Sequence, residues 1–168
     1  AIIDGVQKDL SFEITSDCEI IGIKVDSNEG MYILRHSCAH LLAQAVTELF
    51  PNAKPTIGPP VEGGFYYDFA MGNIGDGELK EIEKLMQKLC RENLKIQRLE
   101  YSEEELREIF KQNPYKIEII NDKLGEGQGS SLYKQGEFVD LCLGPHVPAT
   151  SNLMHFKLTN ISSAYWKG

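Results

Sequence analysis

The sequence predicts an α+β fold. Two stretches, 31–50 and 78–97, carry apolar residues at helical spacing. Between and around them, short β-branched and aromatic runs are bounded by Gly, Pro and Asp-Gly signals, as strands and hairpins require.

Residues 1–27 read as short β segments. Asp4-Gly5 is a turn signal between apolar runs in Ile2 to Leu10, and Glu19 to Val25 is rich in β-branched residues. This stretch is too short to stand as a domain by itself. Asp26 to Gly30 is a polar boundary and a helix start. In 31–50, Leu34, Cys38, Leu41, Leu42, Ala45 and Leu49 fall on one face. Pro51 ends that helix. Pro55, Gly58, Pro59, Pro60, Gly63 and Gly64 make an irregular loop, and Phe65-Tyr66-Tyr67-Asp68-Phe69 reads as an aromatic strand. The helix over 78–97 places Ile82, Leu85, Met86 and Leu89 on its apolar side. Ser102 and Glu105 match a capping box before a short third helix through Lys111, which Asn113-Pro114 stops. Residues 115–121 suit strand and helix equally, because Ile117, Ile119 and Ile120 fit both. Leu124 to Ser131 is a Gly-rich loop. Ser131–Lys134 and Glu137–Cys142 form a hairpin around Gln135-Gly136, and a last strand spans His155–Leu158.

The 168 residues allow one domain, or one domain plus a fragment, with a real core. Apolar residues at 42% and charged residues at 25% exclude a disordered chain. No apolar run approaches the roughly 20 residues that span a bilayer, so no membrane role is expected. Ala1 to Gly5 has no basic flank or long apolar stretch and does not resemble a secretory leader. Cys18, Cys38, Cys90 and Cys142 form no CxxC and no dense framework, which reads as cytoplasmic thiols. A net charge of −8 argues against a broadly basic nucleic-acid surface, though not against a small local basic site.

Three of the four histidines sit in two pairs of chemical interest: His36 with His40, and Cys142 with His146. His36 and His40 are i and i+4, so they point the same way from a helix. Taken alone they also suit a helix surface or core edge. HxxxH without an intervening Glu lacks the general base of HExxH metalloproteases. Cys38 lies about 200° round the helix from His36 and reads as core. Cys142 alone reads as a buried apolar residue, and His146 after Gly144-Pro145 sits in a turn. Together, three imidazoles and a thiolate are a zinc donor set; without metal they can orient a hydrolytic water. Asp140 precedes Cys142 by two, so on a strand both face one side; a carboxylate that supports the cluster or meets a substrate amine, and a solvent-facing carboxylate, both fit. Lys116 reads from its context as a surface lysine. Gly63-Gly64 permits close backbone approach or simply a turn. Of Tyr66 and Tyr67, one faces inward, as core or as a base-stacking ring.

The ordered motifs are specific in combination. Arg35-His36-Ser37-Cys38-Ala39-His40-Leu41-Leu42-Ala43-Gln44-Ala45 is followed by Ile57-Gly58-Pro59-Pro60 and Gly63-Gly64-Phe65-Tyr66-Tyr67-Asp68-Phe69. Then come Pro114-Tyr115-Lys116, Phe138 to Pro148 with Asp140, Cys142 and His146, and finally His155-Phe156-Lys157-Leu158 and Ala164-Tyr165-Trp166. Over roughly 28–168 this series resembles the editing domain of bacterial-type threonyl-tRNA synthetases, related to alanyl-tRNA synthetase editing domains. The resemblance implies an antiparallel sheet packed with helices around a cleft. Residues 1–27 resemble the C-terminal part of the small ubiquitin-like (TGS) domain that precedes it.

The resemblance implies hydrolytic proofreading: water attack on the ester of mischarged Ser-tRNA(Thr). His36, His40, Lys116, Asp140, Cys142 and His146 match the family's catalytic cluster. His36 matches the position that would collide with threonine's extra methyl, and Lys116 would favour the oxyanion. Gly63, Gly64, Tyr67 and, more weakly, Tyr133 are candidates for contact with the terminal adenosine. The threonyl branch resembles a pocket that needs no metal, whereas the alanyl type resembles a zinc site with the same ligands, His36, His40, Cys142 and His146. Cys38 departs from a frequent Ala. The implied partners are the tRNA(Thr) acceptor end and the remaining domains of a larger cytoplasmic, homodimeric enzyme. That enzyme's ligase domain, with its ATP, Mg and Zn, would follow Gly168. A zinc-stabilised tRNA-binding module and a free-standing trans-editing deacylase are the alternatives.

Overall fold

The computed structural model describes residues 1–125 and 131–163, with side chains for 1–122 and 131–163. Strands β1 (Ile2–Ile3), β2 (Val6–Gln7) and β3 (Ile20–Ile21) form an antiparallel sheet in the order β2-β1-β3. Asp4 and Gly5 both have positive φ (47° and 81°), as the Asp-Gly signal requires for a tight hairpin turn. Val6, Leu10, Phe12, Ile14, Ile20, Ile21 and Val25 of this segment are exposed.

Helix α1 (Asn28–Leu49) begins where the polar run predicts, with the Ser27 hydroxyl accepting from the Gly30 amide at 3.1 Å. It is the central element: Ser37 to Leu41 and Ala43 to Val46 are all buried. Burial therefore extends well beyond the single apolar face that the periodicity marks. Leu49 is exposed, and the next residue, Phe50, packs on the core instead.

Four two-residue strands follow: β4 (Lys54–Pro55), β5 (Pro60–Val61), β6 (Gly64–Phe65) and β7 (Phe69–Ala70). They pair as β4–β7 and β5–β6. The aromatic strand expected over Phe65–Phe69 is thus broken. Phe65 pairs with Pro60 and Phe69 with Pro55, so the segment changes partner between them. Prolines cannot donate to a ladder, which keeps both pairings short.

Helix α2 (Asp76–Glu92) packs on α1 through Ile82, Met86, Leu89 and Cys90. It stops short of the expected residue 97. Asn93 adopts the left-handed conformation (φ 52°) that ends helices, and Ile96–Glu100 forms β8. Helix α3 (Glu103–Phe110) carries the predicted capping box: the Glu105 amide donates to Ser102 Oγ (3.3 Å), and the Ser102 amide to Glu105 Oε2 (2.7 Å). The ambiguous 115–121 is helical, within α4 (Pro114–Gly125). Pro114 suits a first helical position, and the Asn113 side chain accepts from the Tyr115 amide at 3.2 Å. Of the Gly-rich loop over 124–131, residues 126–130 lie outside the described residues.

The hairpin of β9 (Ser131–Gln135) and β10 (Phe138–Leu141) joins β8 in an antiparallel sheet, order β10-β9-β8. The class is α+β, with antiparallel sheets and helices as expected. Alternation along the strands sorts the hairpin into two faces. Leu99, Leu132, Val139 and Leu141 pack with Leu106, Phe110 and Ile120 of α3 and α4. Tyr133 and Cys142 lie on the opposite face, with Ile96. The expected last strand at His155–Leu158 forms no ladder. Its backbone and Lys157 instead meet one helical side chain: Glu83 accepts from the Leu158 amide (2.8 Å) and from Lys157 Nζ (2.7 Å). Ala164-Tyr165-Trp166 lies outside the described residues.

Candidate active site

Two elements build the site. Helix α1 supplies His36, Ser37 and His40; the end of β10 and the turn after it supply Cys142 and His146. The helical pair therefore does meet the Cys-His pair about a hundred residues away. Cys142 Sγ lies 3.4 Å from His36 Nε2 and 3.3 Å from His146 Nε2, and it accepts from the Gly144 amide at 3.2 Å. The rings of His40 and His146 are 4.3 Å apart, centre to centre. His40, Cys142 and His146 are buried, whereas His36 is only partly so and borders solvent.

Ser37 orients the His146 ring. Its hydroxyl lies 2.8 Å from the Ile33 carbonyl oxygen and 2.9 Å from His146 Nδ1, and it accepts from the Val147 amide (3.2 Å). Nε2 of His146 then faces Cys142. Burial, and next the neighbouring imidazole of His40, push the basicity of His146 well below the usual value. Burial does the same for His40, reinforced by His36 and the Lys116 ammonium. Both rings are neutral at pH 7, with lone pairs available to a proton or a metal.

Beside the imidazoles lies a buried polar triad. Lys116, which the sequence alone places at a surface, is 3% exposed, and Asp140 is 1% exposed. Lys116 Nζ sits 2.5 Å from Asp140 Oδ1 and donates to the Tyr67 hydroxyl at 3.0 Å. That hydroxyl donates to Asp140 Oδ2 at 2.5 Å, and Asp140 Oδ2 is 3.8 Å from His40 Nδ1. Burial and the Asp140 carboxylate push the Tyr67 phenol well above its ordinary range, so it stays protonated. Tyr67 is the inward member of the tyrosine pair, and its ring leaves no room for a side chain at Gly58. A Cβ there would lie 2.1 Å from Tyr67 Cδ2, which accounts for the glycine of the Ile57-Gly58-Pro59-Pro60 run.

The remaining candidates are placed as follows. Tyr133 is buried beside the cluster, its ring 4.4 Å from that of His146. Gly63, at φ 78°, lies in the β5–β6 turn, and Gly64 opens β6 opposite Val61. That hairpin is tethered near His36 by Arg35, whose guanidinium donates to the Val61 carbonyl at 3.4 Å. Two contributors were not legible in the sequence. Ser37 is a mid-helix serine with no spacing signal of its own. Asp9 reaches the site from the β2–β3 connection: it accepts from the Tyr133 hydroxyl (2.6 Å) and the His146 amide (3.0 Å).

The donor set fits a zinc ion. One ligand atom each from His36, His40, Cys142 and His146 lies within 4.8 Å of the others. Zn–N and Zn–S bonds of about 2.0–2.3 Å put tetrahedral donors roughly 3.3–3.8 Å apart, the range of the two Cys142 contacts. Ser37 orients His146 as outer-shell partners of ligating histidines do.

Comparison with known proteins shows the family. The family described as threonyl and alanyl tRNA synthetase second additional domain matches residues 130–165, which include Cys142 and His146. The chain is 52% identical over 165 residues to a threonine–tRNA ligase of Thermoplasma acidophilum, covering 98% of this chain and 25% of the relative. It is 46% identical to those of Rubrobacter xylanophilus and Thermotoga maritima, covering 100% of this chain and 26% and 27% of the relatives. The chain thus spans about a quarter of the length of the curated relatives it matches. With this identity along essentially its whole length, the chain belongs to the threonyl-tRNA synthetase family.

Proposed function

We propose that this chain carries a proofreading site that hydrolyses the ester of mischarged Ser-tRNA(Thr). The observation that carries the reading is the convergence of three imidazoles and a thiol on a buried Lys116–Asp140–Tyr67 triad at one point. Such a site can bind an amino acid ester, orient water and offset oxyanion charge.

The water oxygen attacks the seryl carbonyl carbon, and the bond from that carbon to the ribose oxygen breaks. A neutral imidazole takes the water proton, and the leaving ribose oxygen receives one; His40 and His146 are kept neutral by burial and suit this task. Lys116 places positive charge where the oxyanion develops. Asp140 and Tyr67 hold that ammonium in place. His36 borders the opening and is suited to meet the amino acid side chain. Threonine differs from serine by one methyl, which a synthetic pocket discriminates by only about 1–3 kcal/mol; a second pocket that sterically excludes the larger residue adds the missing selectivity. Zinc held by His36, His40, Cys142 and His146 would have a filled tetrahedral shell, and would lower the pKa of a bound water only if one of the four gave up its place. The proposed hydrolysis relies on the side chains and does not require it.

The tRNA(Thr) acceptor end is the proposed partner, together with the remaining domains of a longer synthetase. Gly63, Gly64, Tyr67 and Tyr133 are the proposed adenosine side of the site. Residues 28–168 are proposed as the editing domain. Residues 1–27 are proposed as part of a separate small domain, which their exposed apolar side chains support. No described helix is long and apolar enough to cross a membrane.

A zinc-stabilised tRNA-binding module is the second reading, favoured by the gathering of four donors within 4.8 Å and by the two Cys142–histidine distances, which suit zinc. One experiment separates the two: hydrolysis of Ser-tRNA(Thr) and Thr-tRNA(Thr) by the chain, with and without a chelator. Selective, chelator-insensitive loss of the seryl ester is expected. Loss of neither ester, with unfolding on chelation, would select the structural zinc.

A further inference from the structure

We propose that Asp9 is a positioning residue for the editing site, through which segment 1–26 holds His146 in register. The inference rests on the proofreading reading and adds a residue to it. Apart from the local bonds of Ser27 to the Lys24 carbonyl at the start of α1, the hydrogen bonds given for the described residues that join segment 1–26 to the body of the chain are the two of Asp9. Both land on the cluster's own support. Asp9 Oδ1 accepts from the His146 amide, 137 residues away, and Asp9 Oδ2 accepts from the Tyr133 hydroxyl.

The carboxylate thus holds His146 from two sides. One hold is direct, on its backbone. The other runs through Tyr133, whose ring packs edge-on against the His146 imidazole at 4.4 Å. The Tyr133 hydroxyl is also wedged against the turn that carries His146. A Cβ at Gly144 (φ 75°) would lie 1.8 Å from that oxygen, so the turn and the phenol fit only with glycine there. His146 in turn meets Cys142 Sγ through Nε2 and Ser37 through Nδ1. Without Asp9, the His146 amide and the Tyr133 hydroxyl lose their common acceptor. The imidazole is then free to drift relative to Cys142 and His36. Asp9 itself bonds to the support and to none of the cluster's imidazoles or its thiol. Its loss should therefore lower turnover and leave substrate binding nearly intact, since displacement of a reacting group by about 1 Å can cost on the order of 100-fold.

The test uses the 168-residue chain and its Asp9→Ala, Asp9→Asn and Tyr133→Phe variants. Two quantities are read: kcat and KM for Ser-tRNA(Thr) hydrolysis, and the imidazole NMR resonances of His146, with His155 as internal control. Asp9→Ala is expected to lower kcat about 10–100-fold, keep KM within about 3-fold, and move the His146 signals but not those of His155. Asp9→Asn should recover most of the activity, because its carbonyl still accepts from the His146 amide while its amide donates to the Tyr133 oxygen. Tyr133→Phe should show a smaller loss with the same spectroscopic signature. Wild-type kcat with unmoved His146 signals in a folded Asp9→Ala chain would overturn the proposal. So would equal losses in the Ala and Asn variants. If Asp9→Ala does not fold, Tyr133→Phe with wild-type kcat and unmoved signals overturns it instead. If the wild-type chain hydrolyses no ester, the proofreading reading fails, and the His146 signals alone still decide the role of Asp9.

Discussion

The Lys116–Asp140 pair offers a quantitative test of how the site is held. Both side chains are buried and 2.5 Å apart, so removing either strands the other's charge, at a typical cost of about 3–5 kcal/mol. The surroundings set the order within that range. After Lys116→Met, the carboxylate keeps two donors, the Tyr67 hydroxyl and the Leu141 amide at 2.8 Å, so the low end, about 3 kcal/mol, is expected. After Asp140→Ala, the ammonium keeps only Tyr67 among the partners described for it, so about 4–5 kcal/mol is expected. The double variant buries no charge. It should therefore lose about 3 kcal/mol less than the sum of the single losses. For a chain of this size, each kcal/mol corresponds to roughly 2–4 °C in Tm, so the single losses are readable in thermal and urea unfolding followed by circular dichroism. Two single variants each within about 1 kcal/mol of wild type, and additive when combined, would show that the pair is solvated in solution and refute the argument.

Three further outcomes are expected. His36→Ala should lose most seryl-ester hydrolysis while its unfolding midpoint stays near wild type, since His36 borders solvent; normal activity in the folded variant would remove it from the mechanism. In metal-free buffer, stability should fall on acidification. The folded pKa values of His40 and His146 are depressed below the unfolded value, so below about pH 6.5 the unfolded chain binds more protons, and each histidine costs up to about 1.4 kcal/mol per pH unit; urea unfolding across pH 5–8 that shows no such decline would contradict their neutral burial. Gly144→Ala should destabilise by about 2 kcal/mol or more, because φ 75° and the Tyr133 hydroxyl both oppose a Cβ; a melting temperature within about 1 °C of wild type would show that the turn adjusts freely.

Much of the fold was legible because the signals are local. Ser27, the Ser102/Glu105 box, Asp4-Gly5 and the hairpin at Gly136 act over three or four residues, and each structure forms where its signal stands. The misplaced elements failed for equally physical reasons. Apolar periodicity carried the second helix past Asn93, although a single left-handed residue ends it. The aromatic strand and the 155–158 strand were read from side-chain type alone, and neither found an uninterrupted backbone partner. At the site, the sequence marked His36, His40, Cys142 and His146 by spacing, and it placed Asp140 on the same strand face as Cys142.

Residue spacing alone marks α1, α3, the body of α2 and the β9–β10 hairpin, the donor chemistry, and the pairing of residues one helical turn or two strand positions apart. Backbone geometry fixes those relations wherever the element ends up. That α1 faces the Tyr133–Cys142 side of the hairpin follows from packing between distant elements. The same packing buries Lys116 against Asp140, sets a mid-helix serine against the His146 ring, and brings Asp9 onto the His146 turn. These contacts join residues from 24 to 137 positions apart. No local propensity specifies them; they follow from which faces pack together, and from the requirement that each polar group buried in that packing find a partner.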